Sequence, residues 1–190
     1  MKKIFLLFLF LFSFSSNAQK SESVEIYSNL INEFNHAKRI VISDSTSIDF
    51  TDLDRLNFEK LRKEFSEFEN ELKNQELQEE TFKDFKNQNI NSEKILKSEI
   101  PNDKIVLISS EEVDKIFKNN RKGWDHFYRK FPKSQGILTL SKIGFNENKT
   151  QAIVYYGNQS HYLAGIGYLA YYIKINDSWK LAGLSELWIS

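Results

Sequence analysis

All seven glycines of this 190-residue chain lie at or after position 123. Glycine breaks helices and marks turns, bulges and close backbone approaches. The residues before Gly123 therefore lack the commonest interrupter of a helix, and those after it are punctuated as strands are. The first part is polar and rich in Lys and Glu, the second rich in Gly and Tyr. Helices followed by strands specify an α+β fold rather than alternating βαβ units.

The first residues stand apart from that division. Lys2 and Lys3 precede the apolar run Ile4 to Phe14, and Ser16, Asn17 and Ala18 supply small residues after it, the pattern of a secretory signal peptide. Cleavage is expected after Ala18, which places the protein in the periplasm or outside the cell. The run is shorter than the roughly 20 apolar residues that span a bilayer, so no transmembrane segment is expected in the mature chain. Residues 19–190 suit one soluble domain, helix-rich over 19–131 and sheet-rich over 132–190.

There is no cysteine, which excludes disulfides, thiolate metal sites, a thiol nucleophile and an N-terminal lipidated cysteine. Such an exported domain depends on its core, and an aromatic content of 14% supplies material for one. Basic and acidic residues balance at 26 each, and loss of Lys2 and Lys3 leaves the mature chain slightly acidic. Nucleic acid is thereby an unsuitable partner, since neutralising phosphates demands a basic excess.

In chain order, Ser21 or Ser23 can cap a helix carrying Ile26, Tyr27, Leu30, Ile31 and Phe34 at helical spacing. Arg39 to Ile42 reads as a short strand before the turn Ser43-Asp44-Ser45. From Thr51 or Asp52, the stripe Leu53, Leu56, Leu61, Phe65, Phe68 and Leu72 predicts a long amphipathic helix. Glu59 with Lys63, Glu69 with Lys73 and Glu79 with Lys83 are spaced as exposed pairs worth about 0.2–0.5 kcal/mol each. They describe a solvated face, not acid–base machinery.

Asn87 to Asn91 is a polar break, and Pro101-Asn102-Asp103 ends a short helical pattern around Ile95 and Leu96. Ile105 to Ile108 reads as a buried strand. Ser109 and Glu112 form a capping-box pattern for a helix burying Val113, Ile116 and Phe117, closed by Asn119-Asn120. Trp124, Phe127, Tyr128 and Phe131 make the buried stripe of a further helix that Pro132 stops.

Four strands follow: Ile137 to Ile143, Gln151 to Tyr156, Leu163 to Ile175 and Trp179 to Ile189. Their short connections specify an antiparallel meander, with the N-terminal and central helices packed on it, mainly on one face.

Gly165-Ile166-Gly167-Tyr168-Leu169-Ala170 imitates a dinucleotide-binding glycine motif, but a strand follows where the motif needs a helix. The two glycines read instead as a bulge or as room for a close neighbour. His36, His126 and His161 show no metal-ligand spacing, so neither metal nor cofactor is expected.

The functional candidate is the polar stretch between two aromatic strands, read as a loop. Asn158, Gln159, Ser160, His161 and Tyr162, with Tyr155 beside them, form the expected ligand-binding site. Two readings follow. One is a non-enzymatic module that binds another protein or a small ligand. The other is a hydrolase of envelope polymers or peptides, with His161 as general base and Asp177 or Glu186 as its acid partner.

Gly123-Trp124, Phe127, Phe131-Pro132, Ser134, Gly136-Ile137, Leu140-Ser141, Gly144-Phe145-Asn146, Thr150-Gln151-Ala152, Tyr155, Gly165-Ile166-Gly167-Tyr168 and Trp188-Ile189-Ser190 resemble an uncharacterised family of exported bacterial proteins. The resemblance covers Gly123 to Ser190 and extends weakly to the first helix and to Thr81-Phe82-Lys83-Asp84-Phe85. It implies export and one domain, and carries no activity or catalytic residue.

Overall fold

The computed structural model describes residues 22–46, 56–68, 72, 75–118 and 122–190. Residues 22–32 form helix α1. After it come β1 (Arg39–Ser43), α2 (Phe58–Ser66), α3 (Glu79–Gln88), a 3-10 turn (Lys97–Glu99), β2 (Ile105–Ile108), α4 (Ser110–Phe117) and α5 (Gly123–Lys130). The chain ends with β3 (Ser134–Leu140), β4 (Gly144–Phe145), β5 (Gln151–His161), β6 (Ala164–Ile175) and β7 (Ser178–Ile189). The architecture is α+β.

All the strands join one seven-stranded sheet of order β2-β1-β3-β5-β6-β7, with β4 paired to β5. The meander β5-β6-β7 is antiparallel as its short turns require. The described helices all precede residue 131 and strands β3 to β7 follow it, but β1 and β2 join the sheet from the helix-rich part, with β1 between β2 and β3 and parallel to both. Ile40, Val41 and Ile42 are all 0% exposed. An unbroken β-branched run of that kind suits a parallel interior strand covered on both faces.

Of the five described helices four lie on one face of the sheet and α1 on the other, so the helices pack mainly on one face as expected. On one face α1 sets Ile26, Leu30 and Ile31 against Ile40, Leu138 and Val154. The other face carries α2 and α3, whose Leu61, Phe65 and Phe85 meet Ile153, Leu169 and Tyr171. Beside them α4 and α5 pack Ile116, Trp124, Phe127 and Phe131 on Val41 and Ile108. The aromatic stripe of α5 is thus core, as its spacing predicts. Ser109 caps α4 by accepting from the Glu112 N–H at 3.3 Å, also as predicted.

The predicted long helix is the nine-residue α2 only, capped by Asn57, whose side chain accepts from the Lys60 N–H. Thr51 to Leu53 and the pair Glu69–Lys73 lie outside the described residues, as do Asn119-Asn120. Glu79 and Lys83 pair at 3.0 Å as spaced, whereas Glu59 turns to Arg62 and Lys63 to Glu67. All of these side chains are exposed. Around Ile95 the expected helix is instead the Ser45–Lys94 bridge and the 3-10 turn.

Several residues of the C-terminal pattern hold β4 and β5 in place. Buried Gln151 accepts from the Gln78 N–H at 2.9 Å and the Thr81 hydroxyl at 3.2 Å, and donates to the Glu76 carbonyl at 2.9 Å. Asn146 accepts from the backbone N–H groups of Thr150 and Gln151 and donates to Gln78. Ser141 bridges the break between β3 and β4, its hydroxyl accepting from the Tyr155 N–H at 2.8 Å. These polar side chains replace ladder bonds that the irregular backbone cannot make.

Candidate functional site

The polar stretch expected as a loop is strand. Asn158 pairs with Leu138 on one side and Ile166 on the other, and Gln159 with Ile137 and Gly165. With both ladders filled, polar side chains do not end the strand, and only Tyr162 and Leu163 turn. A bulge at Ser160 separates the pairs Gln159–Gly165 and His161–Ala164.

Alternation along β5 then scatters the expected site residues. Tyr155 is buried at 3% exposure, and its hydroxyl accepts from the Trp188 indole N–H at 3.0 Å. Asn158 shares the α1 side with Tyr156 and donates to the Gln135 carbonyl at 3.2 Å. Ser160 donates to the Ala164 carbonyl, while its own carbonyl accepts from the Tyr128 hydroxyl at 2.8 Å. Gln159, His161 and Tyr162 come to the side of α5.

There they meet Trp124. The His161 ring stacks on the indole at 6.3 Å and 21°, and Tyr162 stands edge-on to it at 6.5 Å and 85°. The Tyr162 hydroxyl accepts from the Gly123 N–H at 3.2 Å, one of the donors that the first turn of a helix leaves unpaired. Tyr162 and Tyr128 therefore tie the start of α5 and the end of β5 together from opposite sides.

Between α4, α5 and the sheet this arrangement leaves a cleft of about 540 Å³. Ile137, Thr139 and Gly157 form its floor, and Phe117, Trp124, Tyr162 and Trp188 its walls. Ser43, Ser110, Asp114 and Gln159 bring polar groups to it. The side chains of Asp114 and Gln159 make no hydrogen bond to another described residue.

Trp188 reaches the cleft because glycines make room for it. A Cβ on Gly167 would lie 2.1 Å from the indole nitrogen, and one on Gly165 2.8 Å from the indole ring. The pair that imitates a nucleotide motif is a bed for an aromatic ring from β7. Trp188, Asp114 and Thr139 are absent from the sequence-derived set. The spacing of Gly165 and Gly167 on one strand face was the available signal for a close neighbour, though it does not say which.

No family model, curated protein or solved structure matches the chain. The site stands on its own chemistry.

Among the described residues no carboxylate lies within ion-pair distance of His161, whose contacts are the rings of Trp124 and Tyr162. Asp177 sits in the turn after β6, at the far end of that twelve-residue strand from His161. Glu186 pairs with Tyr168, which packs on Tyr156. The geometry therefore does not assemble the acid–base pair that the hydrolase reading needs. No group of three or more His, Asp or Glu side chains among the described residues is placed to hold a metal ion.

Proposed function

We propose that this chain is an exported, non-enzymatic binding protein that takes a small ligand in the cleft walled by Trp124, Tyr162 and Trp188. The observation that carries the reading is the combination of four aromatic walls with Gln159 and Asp114, whose side chains are unpartnered among the described residues. Ligand sites are concave, largely apolar and supplied with a few orienting polar groups, and about 540 Å³ lies within their usual range. A ligand with a flat apolar face and a polar edge, as a neutral saccharide has, matches this lining. Export after cleavage at Ala18 belongs to the same proposal, and the resemblance to exported bacterial proteins supports it.

Two of the three tryptophans line the cleft, so intrinsic fluorescence is the direct assay. Titration with a panel of neutral mono- and disaccharides should quench or shift the emission saturably. Gln159→Ala should weaken that response about tenfold with the fold intact, through loss of an orienting hydrogen bond. A panel without a saturable response, or a Gln159→Ala variant that responds as the parent does, removes the cleft as the site.

A protein partner is the second reading, favoured by the tip of the β5–β6 turn. Leu163 is 83% exposed there, with Tyr162 at 39% and Ile189 at 68%. Capture experiments with Leu163→Ser, followed by comparison of the recovered proteins, test it. An unchanged set of recovered proteins rules the tip out.

A further inference from the structure

A second cleft, of about 390 Å³, lies on the opposite face of the sheet, between the end of α1 and strands β5 to β7. Its floor is apolar, made by Leu30, Ala170, Leu181 and Leu184. Besides Asn29, whose amide donates to the Trp179 carbonyl, four polar groups line it above that floor: the hydroxyls of Tyr156 and Tyr172, the Glu33 carboxylate and the Lys180 ammonium. None of the four is hydrogen-bonded or ion-paired to another described residue.

The two phenols are held neutral. Burial is the main cause, followed for Tyr156 by Tyr168 and for Tyr172 by Tyr156, and the Glu33 charge adds to both. Each hydroxyl therefore keeps its proton through the physiological range and can donate or accept. Glu33 is near enough for its charge to act on both, yet it hydrogen-bonds to neither. Glu33 and Lys180 also line one cleft without pairing with each other. The space between these groups suits a molecule that supplies the missing partners.

We propose that this cleft binds a small zwitterion with an apolar side chain, an amino acid or a dipeptide. Its ammonium is received by Glu33 and a phenol oxygen, its carboxylate by Lys180 and a phenol O–H, and its side chain by Leu30, Leu181 and Leu184. A primary ammonium has three donors and no acceptor, which fits a carboxylate and a hydroxyl oxygen lining the same cleft. Capping either ligand charge removes the charge-assisted hydrogen bonds made at that pole of the cleft.

The test is calorimetric titration of the purified protein with leucine and leucyl-leucine, beside N-acetyl-leucine and leucine amide. The zwitterions should bind, and each capped compound should bind at least about tenfold more weakly. Glu33→Gln and Lys180→Met should each weaken leucine or leucyl-leucine by about tenfold, and both sites are solvent-exposed, so folding is unaffected. Gln159→Ala, in the other cleft, should leave this binding unchanged, which separates it from the saccharide reading. The relative affinity of leucine and leucyl-leucine distinguishes the two ligand sizes. Absence of binding by either zwitterion, equal binding of the capped compounds, or parental affinity in Glu33→Gln and Lys180→Met overturns the proposal.

Discussion

The Trp188 indole donates to the Tyr155 hydroxyl at 3.0 Å, across a bed of glycine that leaves no room for a side chain. This contact fixes one wall of the cleft beside α4 and α5. Gly167→Ala would place a Cβ 2.1 Å from the indole nitrogen, so the ring must leave or the strand must move. Overpacking of this kind costs about 1–3 kcal/mol. Urea denaturation should report that loss, and tryptophan emission should shift to the red as Trp188 is displaced. Parental stability with unchanged emission would show that the ring is not held there.

The start of α1 is fastened to the β6–β7 hairpin. Lys174 and Glu22 pair at 2.7 Å with both side chains about four-fifths buried, and the Trp179 indole N–H also donates to Glu22. Removing one partner of a shielded pair leaves the other charge poorly solvated. Glu22→Gln is expected to lower stability by about 1–3 kcal/mol. A double-mutant cycle with Lys174→Met should return a coupling energy of the same sign, measured by denaturant unfolding. Additive single effects would show the pair to be inert.

Gln151 satisfies three groups from the segment 76–81. Gln151→Leu keeps the volume but strands the Gln78 N–H and the Thr81 hydroxyl. Each unsatisfied buried group costs about 1–3 kcal/mol, so the total loss for the two should be about 2–6 kcal/mol. Hydrogen exchange should locate it, with α3 losing protection before β5 and β6. Uniform loss of protection would mean that Gln151 supports the whole sheet instead.

The tyrosines make the fold sensitive to alkali. Burial raises Tyr27, Tyr171 and Tyr172, and pushes Tyr156 up to about 12. The unfolded chain titrates its tyrosines near pH 10. Below that value both states hold the proton and stability is intact. Above it the unfolded state releases protons that the folded state keeps, so stability falls as pH rises toward the folded values. Denaturation measured from about pH 9 to 12 should show this decline, with a shallower slope in Tyr156→Phe. A flat profile would mean that these hydroxyls are open to water.

Much of the fold was legible in the chain. The stripes of α1 and α5, the Ser109 cap and the antiparallel meander are local patterns, with partners a few residues apart or joined by short turns. The candidate site was legible only in part. Gln159 and Tyr162 line the cleft beside α4 and α5, but Tyr155 is core and Asn158 lies on the other face, because the stretch is strand and alternation divides it. Polarity suggested a loop there. What made it a strand was the availability of β3 and β6 on either side, which no local pattern records.

The sequence by itself determined the helix of α5, the antiparallel meander, which stripes are buried, and that no thiol chemistry exists in the chain. Those properties follow from side-chain periodicity and residue type. Only the tertiary structure decided that β1 and β2 enter the sheet in parallel, that α1 packs on the face opposite the other described helices, and that Trp188 lies over glycines from two other strands. These arrangements join residues far apart along the chain, such as Tyr27 and Ser141 at a separation of 114. Such pairings are chosen by burying every apolar face at once and pairing every interior polar group, which is a property of the whole packing and not of any one segment.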